Sequence, residues 1–108
     1  MAQYLLIESR DPFETLEVSN DYDLAVGLAK AGHQVTLFLV QNGVLPSRKS
    51  ANHGGLRQVV DSNVEVLSDD FSLRERGIDQ AALANGVKAA PIDIVVDQLA
   101  AGHKTIWL

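Results

Sequence analysis

Residues 33–40 read HQVTLFLV. The run is apolar and rich in β-branched side chains, and it does not alternate with polar positions. A strand with one wet face alternates; a short unbroken apolar run fits a strand buried on both faces, at the centre of a parallel sheet. Parallel neighbours need crossover connections, which are usually helical. The residues just before the run supply one: SNDYDLAVGLAKAG, residues 19–32, has Ser19 or Asn20 as N-cap and acids in its first turn. Leu24, Leu28 and Ala31 fall on one face, and Gly32 is the stop. After the run, QNGV is a turn signal in which Asn42 and Gly43 tolerate positive φ. A polar loop, Gly43–Asn52, is expected next.

The same alternation continues on both sides. Strands are expected at QYLLIES (3–9), NVEVLS (63–68), GVKAA (86–90) and KTIWL (104–108). Helices are expected at ANHGGLRQVVDS (51–62), DDFSLRERG (69–77) and PIDIVVDQLAAG (91–102), the last with Pro91 near its start and Gly102 at its end. Strands alternating with helices imply one α/β domain over residues 1–108: a three-layer α/β/α sandwich around a five-stranded, mostly parallel sheet. Asp11–Ser19 is long for a βα connection. It reads as a lid, an extra helical turn or a subunit contact, and its apolar Phe13, Leu16 and Val18 favour packing. Trp107, in the last strand, reads as a core or interface residue.

The 108 residues suffice for one domain. A net charge of −5 disfavours nucleic acid, since the nine Lys and Arg are scattered apart from Arg48-Lys49 and Arg74/Arg76. Met1-Ala2-Gln3-Tyr4 has no basic leader and the apolar runs are short, so neither a signal peptide nor a membrane span is expected and a cytoplasmic location is. The chain has no cysteine, which removes disulfides, thiolate metal sites and thiol catalysis.

Ligands of parallel sheets sit beyond the carboxyl ends of the strands. That edge would be built from Glu8-Ser9-Arg10, Gln41-Asn42-Gly43, Ser68-Asp69-Asp70 and Ala90-Pro91. Asp69 and Asp70 have two readings. One is a helix cap, which satisfies orphan N–H groups and suits the dipole. The other is a functional pair: with Glu8 they could bind Mg²⁺ through oxygens or supply a general base, with Arg10, Asn42, Gly43 and Ser68 completing a small-ligand pocket. Against the metal, strand one ends in a single acid and Lys104 opens the last strand rather than closing it. His33 and His103 each follow a glycine and are expected to close helix C-termini, while His53 starts a helix. No catalytic residue, metal site or cofactor is assigned.

VEVLSDDFSLRERGI (64–78), the Asp11-Pro12 dipeptide, AKAGHQVTLFLVQNGV (29–44) and the Arg-Gly-Ile…GVKAAP block together resemble the DsrE/DsrF-like proteins, relatives of TusD. The resemblance covers essentially the whole chain. It implies a DsrE-like five-stranded α/β/α sandwich and homo-oligomers (dimers, trimers or hexamers) or hetero-oligomers with related subunits. It also implies a cysteine at the end of the third strand that carries persulfide sulfur to a partner. Counting back eight residues from Gly77 places Asp69 at that cysteine position. A carboxylate cannot form a persulfide, so cysteine-based sulfurtransferase activity is excluded. The resemblance, with its cysteine missing, implies a non-catalytic DsrE-like protein: an oligomeric subunit or binding partner in a sulfur-relay-type complex. The alternative is the carboxylate pocket described above.

Overall fold

The computed structural model describes residues 2–51 and 53–108. Five strands form one sheet: β1 (Gln3–Glu8), β2 (Gln34–Leu39), β3 (Glu65–Asp69), β4 (Val87–Ala90) and β5 (Lys104–Trp107). Their spatial order is β4-β3-β2-β1-β5, and all four pairings are parallel. Four helices make the crossovers: α1 (Glu17–Lys30), α2 (Gly54–Asp61), α3 (Asp70–Glu75) and α4 (Asp93–Ala100). The expected α/β fold is therefore present. In β2, five of six residues are buried, as the unbroken apolar run demands.

Successive side chains of a strand point to opposite faces, and this divides the core in two. On one face Leu6, Leu37 and Val66 pack with Val18 and Tyr22 of α1 and Leu56 and Val59 of α2. On the other, Leu5, Ile7, Phe38 and Leu67 meet Ile94 and Val95 of α4. Each buried aliphatic or aromatic side chain contributes about 1.5–3 kcal/mol of transfer free energy.

Three expectations are corrected. The inward face of α1 is Val18, Tyr22, Ala25 and Val26, while Leu24 is 40% exposed and Ala31 is exposed. The i, i+4, i+7 stripe starts from Val18, because the helix begins at Glu17 rather than after Ser19 or Asn20, and its N-cap Leu16 makes no side-chain cap bond. Of the apolar residues in the 11–19 segment only Val18 is buried; Phe13 and Leu16 face solvent. The segment after β2 is not a polar loop either. Gln41–Ser47 forms 3₁₀ turns with Gly43, Val44, Pro46 and Ser47 buried. The backbone doubles back across the end of β1, so close that a Cβ on Gly43 would overlap the Glu8 carbonyl oxygen. Asn52, the last residue assigned to that loop, lies outside the described residues, as does Met1.

His33 and His103 do close their helices, through their backbones: their N–H groups donate to the carbonyls of Leu28 and Gln98. His53 is the N-cap of α2, its Nδ1 accepting the Leu56 N–H at 3.3 Å.

Candidate functional site

The β3–α3 junction is a hydrogen-bonded knot. Asp69 is the N-cap of α3 and is only 6% exposed. Its Oδ2 accepts the Ser72 N–H at 3.0 Å and the Ser72 hydroxyl at 2.7 Å. The same hydroxyl oxygen accepts the Gln41 N–H at 2.9 Å, holding Gln41 at φ 52°. Asp69 Oδ1 is buried without a partner among the described residues. Ser68, one residue earlier, points to the opposite face, where its hydroxyl meets that of Ser47 at 2.6 Å, both fully buried. Asp70 is half-buried and pairs loosely with Arg74 at 3.8 Å. Ser47 and Ser72 were not among the sequence candidates. The Asp-x-x-Ser spacing of the cap signals Ser72, whereas nothing local signals Ser47.

Asn42 fastens this junction to its surroundings. Its Oδ1 accepts from Arg76 Nε at 3.2 Å and Nη2 at 3.1 Å, and its Nδ2 donates to Glu14 at 3.3 Å. Arg76 also reaches the Ser72 carbonyl, so the exposed rim of the junction is already saturated by the chain itself.

Glu8 ends β1 in a different setting. It is fully buried, and neither carboxyl oxygen finds a donor in hydrogen-bonding geometry among the described residues. Burial pushes its pKa up from 4.5 to about 8, reinforced by the neighbouring Asp21 carboxylate and partly offset by Arg10. Protonated, Glu8 has a hydrogen to give to Asp21, whose Oδ2 is held by Arg10 at 3.2 Å. Arg10 also bridges to Glu17 at 2.6 Å. The Tyr22 hydroxyl is likewise buried and has no partner among the described residues, and its pKa is raised by burial and by Glu8, Asp11 and Asp21.

The structure does not bring Glu8 and Asp69 together. Glu8 shares the strand parity of Leu6 and lies on the α1 side, whereas Asp69 shares that of Leu67 and lies on the α4 side. β2 stands between them. Among the described residues no group of three acids or histidines is placed to hold a metal ion. The expected edge is therefore two separate polar centres. A broad groove of about 610 Å³ lies instead at the amino ends of the strands, between His33, Thr36, Asn63 and Glu65.

The profile of the DsrE/DsrF-like family matches residues 2–108. The chain belongs to that family. Solved structures with the DsrE-like fold include the ychN protein of E. coli, 19% identical, with both chains fully covered and a TM-score of 0.87. A protein of unknown function from Methanobacterium thermoautotrophicum is 18% identical, again with both chains fully covered, at a TM-score of 0.82. A conserved protein of unknown function from Bacteroides thetaiotaomicron is 14% identical, covering 98% of this chain and 94% of that one, at 0.80. No curated protein matches the sequence. Within this DsrE-like frame the end of β3 carries a capping aspartate, and the chain has no cysteine that could replace it.

Proposed function

We propose that this protein is a non-catalytic, cytoplasmic DsrE-like subunit that works by assembling with copies of itself or with related subunits in a sulfur-relay-type complex. One observation carries the reading. The α4 face of the sheet leaves large apolar side chains in solvent: Ile92, Val96 and Leu99 of α4 and Trp107 of β5, with Trp107 65% and Val96 64% exposed. α4 has no buried residue at all, although it is the helix that covers the second face of the sheet. A short helix draws its stability from packing, and a contiguous apolar patch marks an interaction surface. β5 adds an open strand edge beside it.

The reading also accounts for Asp69. A subunit that carries no sulfur has no use for a nucleophile at the end of β3, and a cap there firms the fold. Native mass spectrometry tests the assembly. The wild-type chain is expected at a multiple of 11.7 kDa, and the double variant Val96→Asp, Trp107→Glu is expected at the protomer mass with an unchanged circular dichroism spectrum. A wild-type protomer that stays single, and that recovers no family relative from its own cell extract, overturns the proposal. No helix among the described residues is long and apolar enough to cross a membrane.

A further inference from the structure

The 3₁₀ segment after β2 and the flank of α2 enclose a small cavity of about 80 Å³. Arg48, Lys49, His53 and Arg57 line it, and no carboxylate does. In a chain with fourteen acids against nine Lys and Arg, three of those nine cations converge on one compact space. The cations keep donors to spare. Arg48 is aimed by its Nε, which donates to the Leu45 carbonyl at 2.8 Å, and among the described residues neither of its Nη nitrogens has a partner. Arg57 touches Asp61 only through Nε at 3.5 Å. Among the described residues neither Arg48 nor Lys49 forms an ion pair. Because His53 Nδ1 accepts the Leu56 N–H, the neutral ring carries its proton on Nε2 as a further donor.

The remaining wall is apolar, with Pro46, Leu56, Val60 and Val87. Apolar walls lower the local dielectric and strengthen attraction between the cations and a bound anion. Like charges gathered in such a place repel one another until an anion arrives. Two guanidinium forks and an ammonium suit a compact anion with several oxygens and more than one charge, rather than a single carboxylate. We propose that this cavity is a binding site for a phosphate group, free or at the end of a small phosphomonoester.

The test is an NMR titration of the full chain, ¹⁵N-labelled, with inorganic phosphate, phenyl phosphate and acetate at pH 7 and low salt. Saturable amide shifts confined to the 48–57 segment and its neighbours Ala84 and Asn85 are expected, with phosphate binding more tightly than acetate. Lys49→Ala and Arg57→Ala, both on exposed side chains, should each weaken phosphate by about tenfold, the size of one lost charge-assisted hydrogen bond. Arg74→Ala, on α3, should leave it unchanged. Tighter binding of phenyl phosphate assigns the site to a phosphomonoester; equal or weaker binding assigns it to free phosphate. Shifts that never saturate, that scatter over the surface, that acetate reproduces at the same concentration, or that survive Arg57→Ala undiminished overturn the proposal.

Discussion

Two adjacent aspartates do different jobs. Asp69 puts both of its bonds through one oxygen onto Ser72, whose hydroxyl then fixes the start of the next segment at Gln41. Asp70 makes only a long surface pair one helical turn away. In urea denaturation Asp69→Ala is therefore expected to lose about 1–2 kcal/mol, and Asp70→Ala to stay within about 0.5 kcal/mol of wild type. A larger loss at Asp70 would assign the cap wrongly. Glu8 predicts a pH dependence. Its folded pKa is raised from 4.5 to about 8, so the folded state holds a proton that the unfolded chain releases earlier. Its contribution is fully favourable below about 4.5, declines as pH rises toward 8 and is flat above that, with a slope of at most about 1.4 kcal/mol per pH unit. Glu8→Gln removes the titrating group, so the gap between variant and wild type should widen in the variant's favour through that window. Denaturation midpoints from pH 4 to pH 9 measure it, and parallel curves would show that Glu8 titrates normally. Asp69's place at a helix start was legible from the sequence, because the polar pair comes after an apolar strand and before a helical pattern. The isolation of Glu8 was not. It depends on strand parity and on the packing around the end of β1, and both are set by the tertiary structure.

The elements divide in the same way. β2 is readable because a doubly buried strand has no choice but a continuous apolar run. The face of α1 is not, since Leu24 and Tyr22 are both large and apolar enough to face inward, and the helix start decides between them. The return after β2 reads as a polar loop from its Ser, Arg, Lys and Asn. Its burial comes from the close approach of Gly43 to the end of β1, a long-range contact that local composition does not encode. Two glycines separate these cases experimentally. Gly27 lies on the exposed side of α1 with nothing near a Cβ, so Gly27→Ala should stabilise by about 0.5–1 kcal/mol. At Gly43 the added carbon meets backbone that cannot swing aside, so Gly43→Ala should destabilise by about 1–3 kcal/mol. Thermal unfolding of the two variants beside wild type should move the midpoints in opposite directions.

At the scale of the molecule the sandwich is uneven. One face of the sheet lies under α1, α2 and α3, all of which send side chains into the core, while the other is roofed by the single helix α4, which buries none of its residues fully. The layer order was legible from alternating periodicity alone. The thinness of one layer was not, because α4 is apolar around much of its circumference and nothing in PIDIVVDQLA distinguishes a side chain meant for this chain's sheet from one meant for another surface. The strand order adds a temporal asymmetry. β1 is laid down first, and it takes β2 as one neighbour almost at once. Its other neighbour is β5, with Tyr4 opposite Lys104 and Ile7 opposite Trp107. Nearly the whole sequence must be synthesised before that side of β1 acquires a partner. Until then the first strand of the fold is a half-zipped seam, apolar and open to pairing with any other nascent chain. The segment that closes it carries the exposed tryptophan, so completion of the sheet and presentation of the apolar surface are a single event.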